Sequence, residues 1–325
     1  MKYCFILNPA AGKGTSIDTL EAQIDAACRE KEVTFEIYRT VGIGDAQDYV
    51  KRTVAQNATE AYRFYACGGD GTICEVMNGI MELDYPERVA LGVIPIGTGN
   101  DFVRNFTNNE HFLDIGAQLE AHERPIDLLR ANDMYCINMI NIGFDCEVVS
   151  KTAEIKRKRF VPKNMAYTFS LIATLLRKPG MKAKLSIDGK EAQDVHYLLT
   201  TYANGAFCGG GFHSNPKSSL NDGKIDTILV NNVSRSRFIS IVGSYKKGTH
   251  LAKKYEKIIK NEKFDSIDLY FEEPTNVSID GEIVSVKELH ISLARNALRV
   301  LIPAGSKMIG SWSGHVAVPA EEVQA

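Results

Sequence analysis

The sequence predicts an α/β N-terminal half built on a doubly wound parallel sheet, followed by a β-rich second half. Three observations carry that prediction. First, three glycine-rich loops each follow a β-like run within the first hundred residues. They are Asn8-Pro9-Ala10-Ala11-Gly12-Lys13-Gly14 after residues 3–7, Gly68-Gly69-Asp70-Gly71-Thr72 after residues 61–66, and Pro95-Ile96-Gly97-Thr98-Gly99-Asn100-Asp101-Phe102 after residues 89–94. Second, strand-like and helix-like patterns alternate as far as residue 125, the grammar of a parallel sheet with helices on both faces. Third, from Pro125 onward short alternating runs dominate, punctuated by Asp-Gly pairs.

The elements follow in order. Ile17, Leu20, Ile24 and Cys28 recur at helical spacing, with Thr15 or Ser16 as N-cap. Residues 33–38 are alternating and β-branched or aromatic, a strand. Residues 45–56 and 73–83 read as amphipathic helices. In the second half, alternating runs fall at 126–131, 134–142, 184–187, 195–203, 224–230, 267–271, 277–279 and 289–293. Asp188-Gly189, Asp222-Gly223 and Asp280-Gly281 supply hairpin-type turns. Two helical inserts, 164–177 and 237–260, interrupt a sandwich or distorted barrel. Residues after Ser306 read as a frayed tail.

Composition bounds the function. The 325 residues leave room for two domains with a sizeable core. A net charge of −2 gives no global sign of a nucleic-acid partner. Seven cysteines, an odd number scattered through strands and helices, read as free thiols in a reducing cytoplasm, and none has zinc-site spacing. A strand starting within two residues of Met1 leaves no room for a signal peptide. The longest apolar helix candidate, residues 165–176, is shorter than the roughly 20 residues that span a bilayer.

The loops indicate an anion site. Successive backbone N–H groups in a glycine-rich turn, with a helix N-terminus behind them, cradle phosphate. Ligands sit beyond the carboxyl ends of strands in such sheets, and three glycine loops share that edge. Asp70 inside the cradle calls for a Mg²⁺ or a hydroxyl proton to meet it; its structural alternative is an N-cap. Asp101 reads as the N-cap of the next helix. Gly12-Lys13-Gly14-Thr15-Ser16 is not a P-loop: Leu7 stands where the earlier glycine belongs, and Gly14 follows the lysine.

Together these residues carry a resemblance. Asn-Pro-x-x-Gly, GGDGT with Glu75 and Asn78-Gly79, Pro-x-Gly-Thr-Gly-Asn-Asp-Phe, Asn221-Asp222-Gly223-Lys224-Ile225-Asp226 and Ile279-Asp280-Gly281-Glu282 resemble the diacylglycerol kinase catalytic-domain family, in particular its soluble bacterial lipid kinases. The likeness runs from Lys2 to Pro303. GGDGT alone is shared with NAD kinases and 6-phosphofructokinases; the other motifs narrow the choice. Cys74 departs from the asparagine usual at its position, which bears on nucleotide contact.

The resemblance implies an ATP- and Mg²⁺-dependent lipid kinase. Its nucleotide-binding unit spans 1–125, with 297–325 returning to it, and its β-rich acceptor domain spans 126–296. The nucleotide residues implied are Asn8, Pro9, Ala10, Ala11, Gly12, Thr40, Gly68, Gly69, Asp70, Gly71, Thr72, Glu75 and Thr98. The catalytic residues implied are Glu282 as general base, Asp280 as its essential partner, and Asp70. Two carboxylates two apart on a strand-turn would face the same way, and their repulsion would raise one pKa. A structural Mg²⁺ is implied on the Asp222 carboxylate and the backbone carbonyls of Ser219 and Lys224. Diacylglycerol is the expected acceptor. Another lipid hydroxyl, NAD, and a non-catalytic nucleotide-binding regulator are the alternatives. Six basic residues between Lys151 and Lys163 against Glu154 alone suggest peripheral contact with an anionic membrane. Lys246, Lys247, Lys253, Lys254, Lys257 and Lys260 make a second basic stretch. Gly209-Gly210-Gly211 is a candidate liner of the acceptor cleft. The sequence leaves oligomeric state unread.

Overall fold

A computed structural model describes residues 1–12, 17–57, 59–143 and 180–310. Lys13, Thr15 and Ser16, the basic segment 151–163 and the helical insert 164–177 lie outside these residues.

Strands β1 (Lys2–Leu7), β2 (Phe35–Arg39), β3 (Tyr62–Gly68) and β4 (Val89–Pro95) pair in parallel in the order β4-β3-β1-β2. Helices α1 (Ile17–Glu30), α2 (Asp45–Gln56) and α3 (Asp70–Met81) connect them. Side chains alternate across a strand, and β1 shows the consequence. Cys4 and Ile6 join the core beneath α2 and α3, while Phe5 and Leu7 join the core beneath α1. Both faces are covered, so the central strands are apolar throughout.

The second half is a β sandwich around a separate core of Leu129, Ile140, Leu185, Tyr202, Leu269, Val277 and Ile291. Its strands are β6 (His122–Ala131), β7 (Met134–Cys136), β8 (Met139–Gly143), β9 (Met181–Ile187), β10 (Gln193–Ala203), β11 (Ile225–Asn231), β12 (Ile259–Phe264), β13 (Ser266–Ile279) and β14 (Glu282–Ile302). One strand joins the halves. β14 pairs antiparallel with β13 and β6, then runs parallel to β4 through Arg299 and Val300. The runs expected at 267–271 and 277–279 are one strand, irregular where Pro274 lacks a ladder donor.

Three local expectations need correction. The insert expected at 237–260 is a shorter helix, α4 (Arg235–Lys246), ended where Gly248 takes φ 71°; its remainder feeds edge strand β12. β12 reads Ile-Lys-Asn-Glu-Lys-Phe, too polar to signal a strand because it lies at the sheet's end. Asp222-Gly223 is no hairpin turn: only Gly223 has positive φ, and the segment leads into β11 after a long connection. The expected tail is ordered at its start, where β15 (Lys307–Met308) pairs with β5 (Phe106–Thr107).

Candidate active site

β1, β3 and β4 end side by side, with Leu7 opposite Cys67 and Gly68 opposite Pro95. The three glycine loops therefore share one edge. They are bound to one another: Gly97 N–H donates to Gly68 O (3.1 Å), and the Asp70 Oδ1 accepts the amides of Asp101 (2.8 Å) and Phe102 (3.2 Å). A Cβ on Gly97 would stand 2.3 Å from the Gly69 Cα, so only glycine permits this approach. Asp70 thus begins α3 without capping it, and its carboxylate holds the third loop against the second.

A cavity of about 300 Å³ opens on one side of this edge, lined by Asn8, Pro9, Ala10, Thr40, Thr72 and Glu75. The Asn8 side chain donates to Thr72 Oγ1 (2.9 Å) and accepts the Ala10 amide (2.9 Å). Glu75 accepts the Ala46 amide (3.3 Å), joining α3 to the start of α2. Other expected nucleotide residues surround this lining. Ala11 and Gly12 continue the first loop; Gly68 is buried below Thr72, Gly69 precedes α3, and Gly71 and Thr98 are exposed. Val41 and Ile43, both almost wholly exposed, complete the wall. They lie in a β–α connection whose sequence carries no motif.

A second cavity, about 200 Å³, lies between the halves. The N-terminal half contributes Asp70, Ile73, Asp101 and Phe102; the sandwich contributes Asn138, Met139, Asn141, Cys208, Gly209, Ser278, Asp280 and Gly281. At about 100° per helical residue, Asp70 and Ile73 project from the side of α3 nearly opposite Thr72 and Glu75. The first two turns of α3 are the wall between the two cavities.

Asp101 occupies the N-cap position of the 3₁₀ turn Phe102–Asn105, yet its side chain does not cap it. Its carboxylate instead accepts the amides of Gly210 (2.8 Å) and Gly211 (2.7 Å) across the cleft. Burial pushes its pKa up, against the pull of those amides. Gly209, Gly210 and Gly211 all have positive φ, and this turn brings the amides of Gly210 and Gly211 to one acceptor. The triglycine thus lines the cleft at Gly209 and is anchored to the opposite half.

The expected same-face pair of carboxylates is not formed. Asp280 (φ 48°) and Gly281 (φ 93°) are the two central residues of a tight hairpin, with Ile279 opposite Glu282. The turn separates the side chains. Asp280 points into the protein and accepts the amides of Ile137 (2.7 Å), Asn138 (3.0 Å) and Met139 (2.9 Å). Its pKa is raised by burial, not by Glu282 foremost, and these amides oppose the rise. Glu282 is exposed at the start of β14, outside the cavity lining. Cys74 is buried beside this hairpin, accepts a weak bond from Asn78 (3.5 Å), and has its thiol pKa raised by burial. Asn78 also exchanges bonds with the Tyr135 backbone, fastening α3 to the sandwich.

Ser219, Asp222 and Lys224 fall together in the connection before β11. Asp222 Oδ1 accepts the Lys224 amide (3.2 Å), and its Oδ2 is in contact with the Lys263 ammonium. Both carboxylate oxygens are engaged and a cation is already there, so this arrangement does not fit the expected Mg²⁺. Among the described residues no three His, Cys, Asp or Glu side chains form a metal cluster. Among the described residues no two cysteines are joined in a disulfide. No helix among the described residues is long and apolar enough to cross a membrane.

Comparison with known proteins agrees with this architecture. The family model "Diacylglycerol kinase catalytic domain" matches residues 2–131, and "YegS C-terminal NAD kinase beta sandwich-like domain" matches residues 138–302. A diacylglycerol kinase of Bacillus subtilis is 28% identical over 282 residues, covering 85% of this chain and 88% of that protein. A protein of Alcanivorax borkumensis named "Probable lipid kinase YegS-like" is 27% identical, covering 82% and 86%. The fold matches a crystal structure of a diacylglycerol kinase from Bacillus anthracis with a TM-score of 0.66 at 22% identity, covering 93% and 97%. With both halves matched in order and the glycine loops on one edge, the chain belongs to the diacylglycerol kinase catalytic-domain family, a family of lipid kinases.

Proposed function

We propose that this lipid kinase transfers the γ-phosphoryl group of ATP to the free hydroxyl of diacylglycerol, giving phosphatidic acid and ADP. The observation that carries the reading is the position of α3. Its first two turns face one cavity with Thr72 and Glu75 and the other with Asp70 and Ile73. Phosphoryl transfer needs in-line positioning and charge neutralisation more than covalent help from the protein. The Asn8–Thr72 cradle and the α3 N-terminus hold the nucleotide phosphates, and exposed Val41 and Ile43 offer the base an apolar wall. The hydroxyl enters from the cleft between the halves. Its proton passes to Glu282, a bond forms from its oxygen to the γ-phosphorus, and the bond from that phosphorus to the leaving oxygen of ADP breaks.

Asp70 suits a Mg²⁺ accompanying the nucleotide. Its Oδ1 is occupied by two amides, while Oδ2 is the oxygen that a Cβ on Gly99 would meet at 2.7 Å. Bound there, the ion would neutralise phosphate charge. Asp280 keeps the cleft wall in place through its three amides and is a positioning residue. The site of action is the cytoplasmic membrane surface. Lys246, Lys247, Lys253, Lys254, Lys257 and Lys260 are all exposed and suit an anionic leaflet, each contributing about 1 kcal/mol near the surface.

The test is radiolabelled transfer from ATP to a panel of dispersed diacylglycerol, sphingoid base, glycerophospholipid and NAD. Label in phosphatidic acid supports the proposal. Label confined to another acceptor replaces diacylglycerol with that acceptor, and no transfer at all returns the chain to a nucleotide-binding regulator.

A further inference from the structure

The connection before β11 meets a cation carried by β12. β11 and β12 pair antiparallel with Asp226 directly opposite Lys263. Asp226 is 1% exposed and neither of its oxygens has a hydrogen-bond partner of good geometry; the nearest positive charge is Lys263 Nζ, 3.1 Å from Oδ2. The same ammonium contacts Asp222 and donates to the Lys217 carbonyl (3.4 Å). Two carboxylates and a carbonyl thus surround one nitrogen. Oxygen donors of this kind also attract hard divalent ions, and the ammonium brings its positive charge to the same oxygens.

The loop matters because it joins the halves. Leu220 is buried in the core of the N-terminal half, its carbonyl accepts the Asp127 amide (2.7 Å), and the Asp127 carboxylate accepts the Gly223 amide (2.8 Å). Whatever neutralises Asp222 and Asp226 therefore supports the seam along which the cleft opens.

We infer that Lys263 is the resident cation of the Asp222–Asp226 pair, so that this chain holds its inter-domain loop without a divalent metal. The register of β11 on β12 delivers the ammonium to the pair. Removing the lysine deprives two neighbouring carboxylates of the ammonium that contacts both and turns the loop into an empty divalent site.

The experiment uses the full chain without nucleotide, comparing thermal unfolding in EDTA and in millimolar MgCl₂ and following Mn²⁺ binding by electron paramagnetic resonance. Wild type should unfold at the same temperature in both buffers, and Asp222→Asn should leave its Mn²⁺ binding unchanged. Lys263→Met should unfold several degrees lower in EDTA and recover part of the loss in Mg²⁺. It should also gain a Mn²⁺ site that a second change, Asp222→Asn, removes. The inference is overturned if EDTA lowers the wild-type unfolding temperature and Asp222→Asn abolishes that response. It is equally overturned if Lys263→Met unfolds like wild type. Should Lys263→Met fail to fold, the wild-type and Asp222→Asn measurements decide alone.

Discussion

The Asp70 carboxylate accepts the backbone amide of Asp101 at 2.8 Å, and the Asp101 carboxylate in turn accepts the amides of Gly210 and Gly211. Two acidic residues thereby link the GGDGT loop, the third glycine loop and the triglycine of the sandwich in one chain of hydrogen bonds. The cleft is held across its width by acceptors on one half and backbone donors on the other.

Breaking the second link should loosen the cleft. Asp101→Ala frees two amides and costs about 1–3 kcal/mol of stability. It should raise KM for the lipid while leaving ATP affinity near wild type, because Asp101 lines the inter-domain cavity and not the Asn8 cavity. Lipid-dependent kinetics beside equilibrium ATP binding would show the split; equal weakening of both ligands would argue against it.

Glu282 and Asp280 should behave differently. Glu282→Gln removes the base from an exposed position, so kcat should fall about 10²–10⁴-fold with the unfolding temperature unchanged. Asp280→Asn keeps the shape but sets an NH₂ group among three backbone donors, and should lose both activity and about 1–3 kcal/mol of stability. Near-full turnover by Glu282→Gln would remove it from the reaction.

Asn8→Ala removes the bond to Thr72 and the acceptor of the Ala10 amide. Two bonds near 1 kcal/mol each predict about a 5–30-fold loss of ATP affinity. Calorimetry with a non-hydrolysable analogue measures it, and unchanged affinity would place the phosphates elsewhere.

His250 sets an acid limit. It is fully buried against Tyr245, and burial lowers its pKa from 6.5 to about 4. The folded protein therefore resists a proton that the unfolded chain accepts, so stability is complete above pH 6.5 and declines as pH falls toward 4. The loss is on the order of 3 kcal/mol at most. Unfolding temperatures across this range should fall less steeply in His250→Phe; parallel slopes would assign the acid sensitivity to other groups.

Much of this protein was legible in the chain alone. Helix α2 falls at Asp45–Gln56, where periodicity puts it, and Leu20, Ile24 and Cys28 bury as their spacing requires. The parallel edge followed from loops of glycine after apolar runs, because backbone freedom and anion binding are local properties written in residue type. The Asn8 and Thr72 part of the nucleotide-side lining needs only those loops to share an edge, whereas Thr40 and Glu75 were named by the family resemblance.

Side-chain direction and partnership were decided by the tertiary structure. Asp280 and Glu282 look equivalent at a spacing of two, but a positive-φ turn sends one inward to three amides and leaves the other in solvent. Asp101 reads as a cap until the triglycine, more than a hundred residues later, is brought opposite it. Lys263 looks like any charge on a polar edge strand, and only the register of β12 on β11 sets it between Asp222 and Asp226. Propensity and periodicity act over a few residues, whereas a carboxylate takes whichever donors or cations folding brings within about 3 Å. The local pattern could therefore name the glycine edge, while the charges along the cleft and its seam acquired their roles from contacts distant in sequence.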